Sequence, residues 1–409
     1  MKKSKKNNFY YYLFDWANSP YSTIVITFVF SSYFTNTIAS NKISGTALWG
    51  WTMALSGFFI AIMSPYLGYL ADNKKNFSRN FLVFSTLIVA MLSSTLWFAN
   101  EDINILLFLL IILISNLFFE IGQAFYNSQL INFRGEKNYG EFSGKAWASG
   151  YLGGIFCLIL ILTLFLIPEK SIFILNKEEY ENIRICGPIV GIWFLIFSAP
   201  FLINCKKNEL TKKEYSFSNF LNNLKLLKKD KNKIKFFIAR MLYTDGLITL
   251  FSFGGIYATG TFNFSFNDII LFGIVINIAA AIGAYIFGFL EDRIGAKKVI
   301  IVSLILLILV CLIILIIKNK LYFWILGTML GLFIGSIQSS SRTALISLSG
   351  RQNINSLFGI YAMSGKITNF LGPLLVATFT AVFESQKAGM ASILIFLFLG
   401  LFLFNKVKL

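Results

Sequence analysis

Gly-Phe-Leu-Glu-Asp-Arg-Ile-Gly-Ala-Lys-Lys, residues 288–298, lies between two long apolar runs, and Gly-Tyr-Leu-Ala-Asp-Asn-Lys-Lys, residues 68–75, lies between two others at an offset of 220. A short charged connection that recurs between apolar segments, half a chain apart, is what duplication of a membrane-crossing bundle leaves in a sequence. The glycines Gly68, Gly288 and Gly295 permit close helix approach. Asp72 and Asp292 suit a basic partner or a helix N-terminus, and the basic cluster suits phosphates.

The rest of the chain agrees with that reading. Its 409 residues are 56% hydrophobic and 13% charged, with a mean hydropathy of +0.70, which excludes an ordinary soluble fold. A span needs about 20 mainly apolar residues and must satisfy its own backbone, which favours helices. Twelve segments qualify: 15–38, 47–71, 80–98, 103–130, 143–167 and 186–205, then 234–260, 266–290, 297–317, 321–348, 355–382 and 389–405. The expected fold is all-α, with twelve transmembrane helices in two pseudo-symmetric six-helix bundles, residues 1–205 and 234–409, joined by a basic linker, 206–233.

The net charge of +17 tracks sidedness. Of 36 lysines and arginines, 26 fall at the two ends and in the even-numbered connections and only seven in the odd-numbered ones. Basic loops stay in the cytoplasm, so both termini are expected there, in an integral protein of the plasma (inner) membrane. The lysines before residue 8 and the long apolar run after them read as an uncleaved first span. The linker, part of a ten-lysine stretch from Lys206 to Lys235, reads as a segment lying on anionic headgroups of the lipid bilayer. The basic charge therefore reports topology, and no nucleic-acid partner is expected. Without histidine, with four dispersed cysteines and no phosphate-binding loop, zinc, haem, ATP hydrolysis and catalytic triads are unsupported; no cofactor or metal and no enzymatic activity are expected.

Further landmarks repeat: Asp15 and Asp245, Gln123 and Gln338, and Ser143-Gly144-Lys145 with Ser364-Gly365-Lys366. Spans 3, 6, 9 and 12 are bland, whereas 1, 4, 5, 7, 10 and 11 carry polar groups. Bland helices can face lipid, so the polar six are expected to line a central cavity.

Residues 288–298 resemble the cytoplasmic signature loop of the major facilitator superfamily, with residues 68–75 a reduced copy, and this assigns Gly68, Asp72, Gly288, Asp292, Arg293 and Gly295 to gating. Phe14-Asp15-Trp16-Ala17-Asn18-Ser19-Pro20-Tyr21, Ser143 through Gly154, Tyr243-Thr244-Asp245-Gly246, Gln338–Arg342 and Ser364 through Pro373 are together similar to the vacuole-effluxer-like branch of that superfamily. The resemblance implies a twelve-helix permease. Fungal relatives are associated with amino-acid efflux from the vacuole, so an amino-acid substrate is an expectation that this resemblance carries.

Ionisable groups inside spans are costly unless paired or wet, which selects Asp15, Glu120, Arg240, Asp245, Arg342 and Lys366. Asp15 and Asp245 lie near the starts of spans 1 and 7 and read either as functional or as helix caps. Glu120 shares a helical face with Gln123 and Asn127, beside Tyr126, while span 10 offers Gln338 and Arg342. Such faces suit a zwitterion, with Arg342 or Lys366 on its carboxylate and Glu120 on its ammonium, or else an interhelical polar bridge. Trp16 and Trp147 read as packing or interfacial anchors. The GxxxG spacing around Gly140, Gly144, Gly150 and Gly154 reads as tight helix packing.

The expectation is a monomeric secondary transporter that moves a small-molecule substrate by alternating access, with proton coupling through Glu120, Asp15 or Asp245. Burial favours a neutral carboxylate and a nearby arginine an ionised one, so each reads as a proton carrier or as half of a fixed pair. An uncoupled facilitator and a receptor or scaffold without flux are the alternatives.

Overall fold

The computed structural model describes residues 2–133, 138–168, 175–205, 216–349 and 353–409. Ten described helices are long and apolar enough to cross a membrane. Two interrupted helices, the first and the eleventh, complete a set of twelve spans. Spans 1–6 cover residues 2–38, 42–73, 77–98, 105–133, 139–166 and 181–204, and spans 7–12 cover 231–262, 266–294, 296–316, 320–349, 354–383 and 386–405. The expected boundaries fit, except that span 1 begins at Lys2 rather than near residue 15. Linker residues 206–215, together with Arg134, Lys137, Lys170 and Arg351, lie outside the described residues; linker residues 217–229 are helical.

Local chemistry sets the helix ends. Asn41 accepts from the Ser44 N–H before span 2, Asp230 from Asn232 and Lys233 before span 7, and Ser265 with Asp268 forms a capping box on span 8. Span 1 changes from α to π geometry at Tyr21, immediately after Pro20, which has no N–H to donate. The Trp16 carbonyl that Pro20 leaves free accepts from the Trp193 indole at 3.3 Å. Thr27 then donates its hydroxyl five residues back to Ser22 O at 2.8 Å, in step with the wider π turn.

Within the first six spans, span 1 packs on 5 and 6, 3 on 6 and 4 on 3; within the second, 7 packs on 12, 8 on 10 and 9 on 10. Between the sets, span 5 packs on 8 and span 2 on 11. Glycine allows both crossings. A Cβ on Gly144 would stand 2.2 Å from Ala284 O, one on Gly288 2.7 Å from Gly140 O, and one on Gly68 2.4 Å from Asn355 O. Both chain ends share one face: Lys408 exchanges two hydrogen bonds with Asn232, at the start of span 7, and Tyr126, near the end of span 4, donates to Tyr11 O.

Candidate functional site

The two signature aspartates do the same thing from opposite halves. Asp72, at the end of span 2, accepts from the Asn355 and Ser356 N–H groups at 3.0 and 2.7 Å, at the N-terminus of span 11. Asp292, near the end of span 8, accepts from Gly140 and Glu141 N–H at 2.8 and 2.9 Å, at the N-terminus of span 5. Each carboxylate thus meets the positive end of a helix dipole across the interface. The described contacts of Asp72 and Asp292 are to these helix ends and to the side chains of Asn355 and Ser356, not to a basic residue. Gly295 takes φ +89°, a conformation open to glycine, between spans 8 and 9, and Arg293 is exposed beside it. Glu291 is buried and accepts from Ser340 at 2.5 Å and from Thr343.

Above this latch lies a second, centred on a buried arginine. Arg342, 1% exposed, donates to Asn127 Oδ1 at 2.9 Å, to Ser143 Oγ and Ser143 O at 3.0 Å each, and pairs with Asp15 at 3.5 Å. Tyr11, Tyr126 and Trp147 face its guanidinium at 5.6–5.9 Å. One arginine of span 10 therefore holds spans 1, 4 and 5. Gln338 accepts from Tyr151 at 2.7 Å, and Ser128 donates to Asn355 at 2.6 Å, adding two more cross-half bonds. Asp15 stands thirteen residues inside span 1 and Asp245 fourteen inside span 7. Neither caps its own helix, which removes that reading of them.

Beyond the buried latch a cavity of about 1510 Å³ opens between the halves. Its lining comes from the halves of the spans far from the chain ends: Ser22, Thr23 and Thr27 of span 1, Trp49 and Met53 of span 2, Phe251 and Thr259 of span 7, and Phe272 and Asn277 of span 8. The cavity therefore faces away from the chain ends, with both latches closed beneath it. Among the described lining residues only Glu120 and Lys366 are charged. They meet across the halves, Lys366 Nζ donating to Glu120 Oε1 at 2.6 Å. Asn116, one turn before Glu120, donates to Ser56 Oγ at 2.9 Å and also lines the cavity.

Lys366 sits in a break. Span 11 is helical over Ile354–Ser364 and again over Leu371–Phe383, with turns between. Arg240 of span 7 satisfies the end of the first piece, donating to Tyr361 O at 2.5 Å and Ser364 Oγ at 2.7 Å with its guanidinium 3.2 Å from the Tyr361 ring. A cation at a helix C-terminus is electrostatically favourable. Asp245 lies against the start of the second piece: a Cβ on Gly372 would stand 3.3 Å from its Oδ1. It is 1% exposed, and its carboxylate has no side-chain hydrogen bond or ion pair among the described residues; the Gly372 backbone N–H lies against it.

The expected site residues thus divide in three. Glu120 and Lys366 form the cavity pair; Asp15, Tyr126, Asn127, Gln338 and Arg342 form the buried latch; Arg240 and Asp245 flank the break. Gln123 joins none of these. It faces a small separate cavity with Phe14, Asn18 and Phe194, so the face shared by Glu120, Gln123 and Asn127 is split among three environments. Span 5 contributes no described residue to the main cavity, because its glycine face is committed to span 8; spans 2 and 8 line it instead, and so do the bland spans 9 and 12, expected to face lipid, through Ile314 and Met390. Asn116 escaped the reading of the sequence although it lies four residues before Glu120 on the same helix face. Asn277 and Asn369 carried no such signal.

The sequence pattern of the family described as vacuole effluxer Atg22-like matches residues 33–409. The chain is 26% identical to the uncharacterised MFS-type transporter YxiO of Bacillus subtilis (strain 168) over 98% of this chain and 94% of that protein. It is 24% identical to autophagy-related protein 22 of Kluyveromyces lactis, covering 63% of this chain and 55% of that one. Among solved structures, the major facilitator transporter FucP in its outward conformation superposes with a TM-score of 0.78 at 14% identity, over 100% of this chain and 99% of that one. The proton:xylose symporter XylE superposes with a TM-score of 0.76 at 10% identity, over 99% and 96%. Likeness at this level of identity concerns the fold.

Proposed function

Because the chain belongs to the vacuole effluxer Atg22-like family of major facilitator transporters, we propose that it carries a small zwitterionic solute, an amino acid, by alternating access through the cavity between its halves. The observation that supports this reading is the Glu120–Lys366 pair, whose 2.6 Å contact is the one charged feature among the described lining residues. An α-amino acid offers the same two charges at short range. Its carboxylate replaces Glu120 on Lys366 and its ammonium replaces Lys366 on Glu120, so no ion is left unpaired. The side chain of the solute then lies against Met53, Phe251 and Phe272.

Transport follows by rocking. The two bodies, residues 1–205 and 234–409, turn about the cavity pair. The Asp72, Asp292 and Arg342 latches break on the side of the chain ends while the far side closes. Each latch joins opposite halves, so all three must be released together. The charge asymmetry supports chain ends in the cytoplasm of a cell whose plasma membrane holds the protein, and on that reading the cavity faces outward in this state.

The test is flux. Purified protein in proteoliposomes is assayed against a panel of amino acids and organic anions, alongside Glu120→Gln, Arg342→Gln and Lys366→Gln. Uptake or release of at least one amino acid by the wild type, with loss in Glu120→Gln and Lys366→Gln, is expected. Full activity in both cavity variants removes the site assignment, and absence of flux for the entire panel removes the amino-acid reading. Flux unaffected by an uncoupler identifies a facilitator without proton coupling.

A further inference from the structure

The three intramembrane aspartates and glutamates that bear on the cavity and its latch differ in one respect. Glu120 has Lys366, and Asp15 has Arg342 and Asn18, but Asp245 has no ion pair and no side-chain hydrogen bond to its carboxylate among the described residues, only the backbone N–H of Gly372 against it. The duplication explains why. Residues 127 and 342 are equivalent at the offset of 215 that relates Gln123 to Gln338, and residues 15 and 245 are equivalent at 230. The arginine at 342 neutralises Asp15 across the interface. The position that would serve Asp245 in the same way holds Asn127, which is neutral and occupied with Arg342.

Among the described residues no other cation takes its place. On its own helix Arg240 is committed to Tyr361 and Ser364, and on span 11 Lys366 is committed to Glu120. Span 10 contributes Arg342, already engaged, and Ser341, which bonds Tyr243. Span 12 brings Phe396 and Leu397 against Gly246, with Lys387 and Lys406 at its ends. Span 8 carries Asp268 at one end and Glu291, Asp292 and Arg293 at the other. What Asp245 does touch is the start of the second helical piece of span 11, where Gly372 lies so close that a Cβ would stand 1.9 Å from Thr249 Oγ1 and 3.3 Å from Asp245 Oδ1. Pro373, the next residue, lines the cavity.

We infer that Asp245 is a proton-binding site, distinct from the solute pair, which controls the break in span 11. The inference rests on the alternating-access reading above but not on the identity of the solute. The ionised carboxylate is attracted by the positive end of the Leu371–Phe383 dipole and holds that piece against span 7. A proton arriving from the cavity converts the carboxylate to the neutral acid, COO⁻ plus H⁺ giving COOH, and cancels that attraction. The second piece is then free to move relative to the first, which Arg240 keeps fixed. Lys366 rides on the break between them, so the proton on Asp245 sets where Lys366 stands relative to Glu120. The same proton leaves to water on the other side once the halves have rocked. An unpaired carboxylate in this position is strongly disfavoured as an ion and far less so as an acid, so the cycle visits both forms.

The test needs no solute. Full-length protein in lipid vesicles carries spin labels at Ile43→Cys and Val382→Cys, exposed positions on opposite halves at the face away from the chain ends. The distance distribution between them is measured at alkaline and acid pH. Acidification is expected to redistribute the wild type, Asp245→Asn is expected to show the acid distribution at every pH, and Asp245→Glu is expected to restore the response with a displaced midpoint. A wild type indifferent to pH, or an Asp245→Asn variant that responds as the wild type does, overturns the inference. The solute panel above fails separately: absent flux with an intact pH response removes the amino-acid reading of the cavity and leaves the proton site standing.

Discussion

At the scale of single residues, the molecule separates two uses of buried charge. Arg342 is buried and makes three hydrogen bonds, to Asn127 and Ser143, beside the carboxylate of Asp15. Removing one partner of such a group leaves the others uncompensated, which costs about 3–5 kcal/mol. Arg342→Gln is therefore expected to lower the thermal stability of the purified protein and to populate the state open on the side of the chain ends. Melting followed by intrinsic fluorescence, with labels at Lys75→Cys and Lys406→Cys, reads both effects. The Glu120–Lys366 pair is only partly desolvated, and the role proposed for it is exchange of partners. A hydrogen bond to a charged group is worth about 1.5–3 kcal/mol, so Glu120→Gln or Lys366→Gln is expected to weaken apparent solute affinity about tenfold to a hundredfold with little change in melting. Titration of flux against amino-acid concentration checks it.

Helices divide their contacts in a similar way. Spans 5 and 11 occupy equivalent places, each beginning at an aspartate from the other half, yet span 5 continues as a helix through Ser143-Gly144-Lys145 and span 11 breaks at Ser364-Gly365-Lys366. The difference lies in what surrounds them. Arg342 bonds the backbone and hydroxyl of Ser143 without ending the helix, whereas Arg240 takes the Tyr361 carbonyl at the end of the first piece. Replacing a capping aspartate by alanine costs about 0.5–2 kcal/mol. Asp72→Ala and Asp292→Ala are each expected to shift the equilibrium about 2- to 30-fold toward opening on the side of the chain ends. Far apart and without shared partners, they should add in the double variant. The Lys75/Lys406 label pair reports that population. Gly144→Leu meets Ala284 O head-on and is expected to separate spans 5 and 8, which would appear as loss of the closed latch distance in the same measurement.

Across the whole molecule, the closed latches lie on one side and the cavity on the other, as one state of the proposed alternating-access cycle would have them. Its topology can be read by chemistry. A cysteine at Ser31, on the cavity side of span 1, is expected to react with an impermeant maleimide added outside cells, whereas one at Lys406 is expected to react only after the membrane is permeabilised. The reverse pattern would invert the orientation argued from the lysine distribution.

The sequence by itself pointed to twelve spans, a repeat of the signature loop and six ionisable groups inside spans, four of them buried, because hydropathy and charge along a chain are local properties that a bilayer sorts directly. It did not determine partners. Glu120 and Lys366 are separated by 246 residues, Arg342 and Ser143 by 199, and no periodicity within one helix carries information across such intervals. Tertiary packing decided that Lys366, not Arg342, meets Glu120, that Asp15 and Asp245 are interior groups rather than caps, and that span 11 breaks where span 5 does not. The physical reason is that a buried charge is stabilised by whatever reaches it within a few ångströms, and only the folded halves bring those groups together.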